Sequence, residues 1–445
     1  MRKPPRRNGG QIRKGRTAPP APRIVELEIN SVGARGDGQG HLDGEQVFVP
    51  FTVAGDRVLA RIESRRGDGL AASLIEIQEE GPGRVTPPCP HYGRCGGCNL
   101  QHLNDEAYAA WKRDLLVTQL ARHGLGEIPV QPLVRVPPSS RRRATFAFAR
   151  SKGGAMIGFN ARASHSVIDL ERCLLLEPAL VALLPALRAM LAAVVPGGTG
   201  GDVVVTLTEG GLDVLVEAEA RLDLFDREKL AAFAETADLA RLTWRRPGGG
   251  FAEPIVRRRA AEVSFAGVMV EPPPGAFLQP TRGGELAIVE RVLAAVGEAT
   301  ILADLYAGCG SFTVPLSRRG AVHAVEGEQG PLATLDAAAR REGLAVTTEV
   351  RDLARRPLAV HELVAYRAVV VDPPRAGAAS QVAELAKPAS PKGGPHTLVM
   401  VSCNPATLAR DLRTLLEGGW RPEDISPIDQ FPWSDHLEAV AVLRR

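Results

Sequence analysis

The stretch TLVMVSCNPATLARDL, from Thr397 to Leu412, reads as a strand, a tight turn and a helix in direct succession. Its first six residues are apolar and rich in β-branched side chains, which is typical of a buried parallel strand. Asn404 is a favourable N-cap, Pro405 suits the first helical position, and leucines then recur on one helical face. A strand that feeds directly into a helix predicts an open α/β sheet.

Cys403 stands at the turn of this unit, where open α/β sheets place their ligands. The unpaired N–H groups of a helix start favour a thiolate, so we expect a lowered pKa and a nucleophilic role. The alternative is a buried cysteine that packs as a small apolar residue. The strand-to-helix turn favours the nucleophile, because a packing role does not require that position.

Four apolar runs that alternate with helical segments precede this unit, and one follows it. They are ILADLYA (301–307), AVHAVEG (321–327), AVTTEV (345–350), RAVVVDPP (367–374) and HLEAVAVLRR (436–445). This rhythm predicts a doubly wound, Rossmann-like domain.

Several residues at the ends of these runs suit a nucleotide-like ligand. Gly308 and Gly310 allow a close backbone approach, whereas Thr313 occupies the place of the third glycine of a dinucleotide site. Glu326 ends the second run, where a carboxylate can accept both hydroxyls of a ribose. Asp372 begins DPPRAG and faces the same crevice on a rigid Pro-Pro turn. An adenosyl ligand is therefore expected, and NAD is disfavoured.

Three cysteines form a C-x5-C-x2-C array at Cys89, Cys95 and Cys98. Three thiolates leave a tetrahedral set one ligand short, and Cys173 is the spare candidate for the fourth position. Only one CxxC pair is present, which favours a [4Fe-4S] cluster over structural zinc, the main competitor. His91 and His102 are alternative ligands, although a packing role is expected for both.

Upstream regions indicate two further domains and a tail. Short strand patterns with glycine-rich turns predict a β-barrel at 23–82, and a hairpin signal, alternating strands and a helix at 105–122 predict an α+β domain at 83–268. We expect that helix to pack on the catalytic domain, which spans 269–445. Residues 1–22 are expected to be a disordered basic tail.

Composition limits the class of protein. The 445 residues are 44% hydrophobic and carry a net charge of +3, yet residues 1–23 hold eight basic and no acidic side chains. That tail is either a solvated extension or an arm for nucleic acid. Pro185 and Arg188 interrupt the longest apolar stretch, so we expect no membrane association. Six cysteines in a chain expected to be cytoplasmic favour metal binding or catalysis over disulfides.

Six ordered motifs together resemble the RNA uracil-5 methyltransferase family. They are FLQP (277–280), DLYAGCGSFTVPL (304–316), VEG (325–327), DPPRAG (372–377), SCNPATLARDL (402–412) and FPWSDHLE (431–438). The cysteine array with Cys173 resembles the subgroup that holds a [4Fe-4S] cluster, and the leading barrel resembles its OB-like TRAM domain. The resemblance covers essentially everything beyond the basic tail.

The resemblance implies S-adenosylmethionine as cofactor, Cys403 as nucleophile and Glu438 as general base. Four positions are implied to contact the cofactor or shape the pocket: Gln279, Tyr306, Glu326 and Asp372. Thr281 and Ala307 depart from the family pattern. C5 of uracil is a weak nucleophile, so the thiolate adds to C6, C5 accepts the methyl group, and the base removes the C5 proton. Arg410 or backbone N–H groups are candidate donors to the enolate oxygen.

We therefore expect a monomeric enzyme that methylates C5 of a uridine in structured RNA. The resembled subgroup favours 23S rRNA over tRNA as the substrate. A tRNA uracil-5 methyltransferase, cytosine-5 chemistry and a non-catalytic RNA-binding assembly factor on a methyltransferase fold are the alternatives.

Overall fold

The computed structural model describes residues 23–388 and 393–445, and these form two compact units that meet in sequence between Arg84 and Val85. The predicted basic tail at 1–22 lies outside the described residues. The predicted domain boundaries at 82 and 268 remain predictions. Every helix among the described residues is too short or too polar to cross a lipid bilayer.

The first unit is one six-stranded sheet with the strand order β1-β5-β6-β4-β3-β2. Alternate apolar side chains, among them Val47, Val58 and Ile62, form its core. The strand β3 is polar and rich in glycine, and the sequence analysis missed it. A Cβ on Gly38 would lie 1.9 Å from Thr52 Oγ1, so the close approach there requires glycine. Closure into an OB-like barrel remains a prediction. The strands are β1 Arg23–Glu28, β2 Ser31–Val32, β3 Asp37–Leu42, β4 Glu45–Pro50, β5 Arg57–Arg66 and β6 Gly69–Glu79.

The first part of the second unit contains a seven-stranded sheet with the order β10-β9-β8-β11-β12-β13-β14. The apolar faces of α2 and α3 share one core with this sheet. The elements are α1 Asp105–Arg122, β7 Val134–Arg135, β8 Arg143–Ser151, β9 Gly154–Asn160, β10 Val167–Asp169, α2 Pro178–Val194, β11 Gly200–Thr208, β12 Gly211–Ala218, α3 Leu224–Thr236, β13 Leu239–Arg245 and β14 Glu253–Arg257.

The remainder of the second unit is built on an eight-stranded sheet with the order β19-β18-β17-β20-β21-β23-β22-β7. Its elements are β15 Val263–Phe265, β16 Val268–Val270, α4 Arg282–Val296, β17 Ile301–Leu305, α5 Thr313–Ser317, β18 Ala321–Glu326, α6 Gln329–Arg341, β19 Val346–Val350, α7 Val360–Leu363, β20 Ala368–Val371, α8 Ala379–Leu385, β21 Thr397–Ser402, α9 Pro405–Glu417, β22 Arg421–Asp429 and β23 Glu438–Arg444.

The five strands from β17 to β21 are parallel, whereas β23 runs antiparallel to β21, and β22 runs antiparallel to β23. The last two strands of the chain thus depart from the parallel order, because a short connection returns the chain beside its neighbour. The carboxyl ends of β17, β18, β20 and β21 share one edge of the sheet. The turns that follow these strands can therefore build a common site.

Candidate active site

A cleft of about 490 Å³ opens at the carboxyl edge of the parallel strands. Phe277 and Arg375 lie on its wall. Six side chains singled out from the sequence also line it: Gln279, Tyr306, Glu326, Asp372, Cys403 and Glu438. Residues that lie up to 159 positions apart in the chain, from 279 to 438, are thus brought to one place.

The turn after β17 folds tightly against the end of β18. Tyr306 and Gly308 have φ angles of +66° and +55°, a region that is uncommon for residues other than glycine. The Gly308 N–H donates to Glu326 Oε2 at 2.9 Å, and the Glu328 N–H donates to Glu326 Oε1 at 2.9 Å. A Cβ on Gly310 would lie 2.5 Å from the side chain of Leu335, so this position admits only glycine. The turn therefore fixes the Glu326 carboxylate at the cleft.

Thr281 and Ala307, the two residues that depart from the family pattern, both have structural roles. Thr281 is the N-cap of α4, where its Oγ1 accepts a hydrogen bond from the Gly284 N–H at 3.0 Å. Ala307 is buried in an apolar cluster with Cys309 and Leu335. Neither substitution leaves a gap in the helix start or in the core.

Cys403 lies between β21 and α9, half-buried in the cleft. Asn404 Oδ1 accepts the Ala406 N–H at 3.1 Å, and Ser402 Oγ accepts the Asn404 N–H at 3.2 Å, so side chains already use these donors at the helix start. Burial and, next, the Glu438 carboxylate together raise the pKa of the Cys403 thiol to about 11. The prediction of a lowered thiol pKa is therefore wrong for the protein without a bound ligand.

Glu438 opens β23 and is almost fully buried, at 3% exposure. Burial raises its pKa to about 7, although a hydrogen bond from Gln430 and the positive charge of Arg375 act in the opposite direction. A carboxyl group with a pKa near neutrality can both accept and hold a proton at physiological pH. This position suits a general base.

Two buried amides connect the carboxyl groups of the cleft. Gln430 Nε2 donates to Gln279 Oε1 at 2.6 Å, and Gln279 Nε2 donates to Asp372 Oδ2 at 3.3 Å. The Gln430 side chain also forms a hydrogen bond with the Glu438 carboxylate. Burial raises the pKa of Asp372 well above its usual range, and the charge of Glu438 adds to this effect. The sequence analysis missed Gln430, although it lies directly before the FPWSDHLE motif.

Arg375 is the second residue that the sequence analysis missed as a site residue. It is exposed at the cleft, and its charge lowers the pKa of both Cys403 and Glu438, against the larger effect of burial. Its Nη2 lies 3.1 Å from His436 Nδ1. By contrast, the candidate donor Arg410 is paired with Asp411 at 2.7 Å. Arg375 is therefore the better-placed cation for an anion in the cleft.

The four predicted metal ligands line one small cavity: Cys89, Cys95, Cys98 and Cys173. Burial is the main cause that raises the pKa of Cys98 to about 12, and the neighbouring thiols contribute in the same direction. His91 also lines this cavity, and its Nδ1 has no hydrogen-bond partner among the described residues. His102 instead pairs with Tyr92 at 2.5 Å. Within residues 23–388 and 393–445, no set of three or more His, Cys, Asp or Glu residues is arranged to hold a metal ion, so the predicted metal site is not confirmed.

The cysteine loop and α1 both bind the segment that precedes Glu438. The N–H groups of Asn99 and Leu100 donate to Trp433 O at 2.9 and 3.2 Å. Further along, Tyr108 OH donates to Asp429 Oδ2 at 2.6 Å. Lys112 Nζ lies 2.8 Å from Asp429 Oδ1 and also donates to the backbone oxygens of the residues at 431 and 436. These contacts hold the 429–436 segment in place.

Comparisons with known proteins agree on one family. The model of the tRNA (uracil-5-)-methyltransferase family matches residues 337–445. An uncharacterised RNA methyltransferase of Brucella suis is 43% identical over 94% of this chain and 98% of its own length. The 23S rRNA (uracil(1939)-C(5))-methyltransferase RlmD of Halomonas elongata is 32% identical over 95% of this chain and 92% of its own length.

The fold is also shared with a solved structure. It is the tRNA (uracil-54, C5)-methyltransferase of Pyrococcus abyssi in complex with S-adenosyl-L-homocysteine. The TM-score is 0.72 at 23% identity, and the match covers 94% of this chain and all of the other. Because relatives at 43% and 32% identity cover nearly the whole sequence, the chain belongs to the RNA (uracil-5-)-methyltransferase family.

Proposed function

We propose that the chain transfers a methyl group from S-adenosylmethionine to C5 of a uridine in 23S rRNA, through a covalent adduct between Cys403 and C6. The observation that carries the proposal is that Cys403 and Glu438 line the same cleft as the ribose-type carboxylate Glu326. The relative named as a 23S rRNA methyltransferase supports the choice of RNA.

Two residues perform the chemistry in this proposal. The Cys403 thiolate adds to C6, and the electron pair of the C5–C6 double bond moves into an enolate stabilised near Arg375. The C5 carbon would take the electrophilic methyl group that bound S-adenosylmethionine supplies, and the electron pair of the broken S–CH3 bond would stay on the cofactor's sulfur as a neutral thioether. Glu438 then takes the proton from C5, the C5–C6 double bond re-forms, and the bond between sulfur and C6 breaks.

The residues of the cleft fit the adenosyl cofactor. Gly308 leaves the backbone after β17 open to a close approach, since nothing lies within 4 Å of a Cβ built there, and Glu326 is held where it can accept hydrogen bonds from ribose hydroxyls. We assign Gln279, Tyr306 and Asp372 to the cofactor and pocket contacts. The amide network fits this assignment, since it orients both Gln279 and Asp372 without using an exposed group.

We further propose a [4Fe-4S] cluster at Cys89, Cys95, Cys98 and Cys173. The four cysteines line one cavity, and each neighbouring thiolate disfavours ionisation of Cys98, so a cationic centre would offset this repulsion. The single CxxC pair favours the cluster over zinc. Purified protein should absorb near about 400 nm and lose that band on oxidation. A colourless protein with stoichiometric zinc would overturn the assignment.

The decisive experiment traps the adduct. RNA that contains 5-fluorouridine has no C5 proton for Glu438 to remove, so wild-type protein should form a covalent complex and a Cys403→Ala variant should not. Mass mapping of RNA from cells that lack the gene should show one 23S rRNA uridine without its methyl group. A loss confined to tRNA would favour the tRNA alternative. A protein that neither binds S-adenosylmethionine nor traps the RNA would favour a non-catalytic RNA-binding factor.

A further inference from the structure

A second cavity, of about 500 Å³, lies in the seven-stranded domain at the ends of β12 and β13. It is as large as the catalytic cleft, and nothing in the proposed chemistry uses it. Its lining is basic and aromatic: Arg221, Arg227, Arg245, Arg246, Trp244 and Phe251. We name it the arginine groove.

Two of the four arginines are already paired. Arg227 Nη2 lies 2.9 Å from Glu253 Oε1, and Arg245 Nε lies 2.7 Å from Glu217 Oε1. These ion pairs hold the walls of the groove and reduce its charge. The unpaired positive charge of the groove therefore comes from the other two arginines, Arg221 and Arg246.

Arg221 and Arg246 are exposed, and neither has a side-chain hydrogen bond or ion pair among the described residues. Two unpaired guanidinium groups at one cavity keep their donors available. Guanidinium donors suit phosphate oxygens, which they can bind in pairs. An anion with several oxygens is thus the favoured occupant.

The aromatic residues indicate which class of anion the groove would bind. The Phe251 ring is 83% exposed, so its face is open to a stacking partner. Trp244 lines the same cavity, and its indole N–H has no acceptor among the described residues. An exposed ring between free arginines can stack a base while the arginines hold its phosphates. An acidic peptide would pair with the arginines, but it would leave the Phe251 ring without a stacking partner.

The segment from 275 to 277 joins one residue of the groove to the catalytic cleft. A Cβ built on Gly275 would lie 3.8 Å from the Arg245 guanidinium, and the Gly275 carbonyl accepts a hydrogen bond from Arg143 at 3.0 Å. Two residues further on, Phe277 lines the catalytic cleft and is 68% exposed. One short segment therefore connects the groove to the cleft.

We propose that the arginine groove binds nucleotides of the substrate RNA that flank the target uridine, with Arg221 and Arg246 on phosphates and Phe251 on a base. This inference rests on the proposed RNA methylation and adds to it a second contact outside the cleft. The groove then contributes affinity for long RNA and leaves the chemical step to Cys403 and Glu438.

Steady-state kinetics and RNA binding test the proposal. In an Arg221→Glu/Arg246→Glu double variant, KM and Kd for a structured rRNA fragment should rise about tenfold or more, with kcat unchanged. The slope of log Kd against log salt should fall by about two. In Phe251→Ala, Kd should rise about fivefold with the salt slope unchanged, because stacking carries no charge. A short uridine oligonucleotide should react equally with all variants.

The matched control is Arg318→Glu/Arg319→Glu, which reverses two exposed arginines in the turn before β18, at the opposite edge of the sheet from the cleft. It should leave Kd and KM near the wild-type values. Equal effects of the groove and control variants, or an unchanged salt slope in the groove variant, would overturn the proposal. Methylation and RNA binding test the two proposals separately. If the wild-type protein methylates no RNA, the proposed function is wrong. The Kd of the groove variants for RNA still tests the groove.

Discussion

The environment of Cys403 keeps its thiol protonated until something compensates the surrounding negative charge. Burial and the Glu438 and Asp372 carboxylates all raise the thiol pKa, and Arg375 opposes them. Thiolate formation is therefore coupled to the protonation states of the two carboxyl groups. A positively charged ligand in the cleft would favour the thiolate by the same Coulombic argument.

This coupling predicts opposite effects of one substitution on two reactions. Glu438→Gln removes a charge that raises the thiol pKa, so the midpoint of Cys403 alkylation should move below about 11. The same variant lacks the proposed base, so turnover on RNA should fall at least about a hundredfold and the covalent complex should accumulate. Iodoacetamide rates against pH measure the first effect, with Cys403→Ser as the control. An unchanged midpoint would contradict the coupling.

The pKa of Glu438 predicts how adduct release depends on pH. Burial raises this pKa to about 7, and only the ionised carboxylate can accept the C5 proton. Release should therefore speed up as pH rises through about 7, and the covalent RNA complex should accumulate below it. Denaturing gels of the wild-type reaction across this range give the adduct fraction. A fraction that does not vary with pH would exclude Glu438 as the titrating base.

At the scale of elements, α1 and the segment after β22 are joined by a buried ion pair. Lys112 and Asp429 are 0% and 1% exposed, and Tyr108 supplies a further hydrogen bond to the same carboxylate. Burial lowers the pKa of Lys112, whereas Asp429 raises it. A charge left unpaired in such a site costs far more than an exposed one.

Lys112→Met should lower the free energy of unfolding by about 3–5 kcal/mol, because it leaves Asp429 buried without its cation. The double variant Lys112→Met/Asp429→Asn should recover part of that loss. Urea unfolding measures both. Arg113→Met, at the next position of the same helix but exposed, is the control and should change stability by less than about 1 kcal/mol. Equal losses in the two single variants would contradict a special role for the pair.

Elements with strong local signals could be predicted closely from the sequence, and those that depend on distant partners could not. The predicted helix at 105–122 matches α1, whose N-cap Asn104 bonds to the Ala107 N–H. The predicted strand at 397–402 matches β21. The strand β22 contains Pro422 and Pro427 and was missed, since its pairing with β23 overrides a weak local preference.

In the candidate site, too, residues with local signals could be predicted and residues that depend on distant partners could not. Cys403 and Glu438 stand at the ends of recognisable strands, so their place in the cleft could be anticipated. Gln430 contacts Gln279 across 151 positions, and Arg375 meets His436 across 61. No local pattern indicates such contacts. Only the assembled sheet brings them together.

At the scale of the second unit, backbone hydrogen bonds join the cysteine loop to the 429–436 segment. Cys98 is followed directly by Asn99 and Leu100, whose N–H groups bind Trp433 O, five residues before Glu438. A group that organises the four cysteines would therefore also order the segment that leads to the base. The coupling needs no electron transfer, because backbone hydrogen bonds carry it.

Cys98→Ser should loosen this connection while leaving the parallel sheet folded. We expect faster amide hydrogen exchange at residues 99–100 and 431–436, with unchanged exchange in β17 and β20, because those strands make no contact through Trp433. Cys309→Ala is the control, since Cys309 is buried in a different apolar cluster, with Ala307 and Leu335. If Cys98→Ser left exchange at 431–436 unchanged, or if Cys309→Ala accelerated it equally, the cysteine loop would not be what orders the catalytic segment.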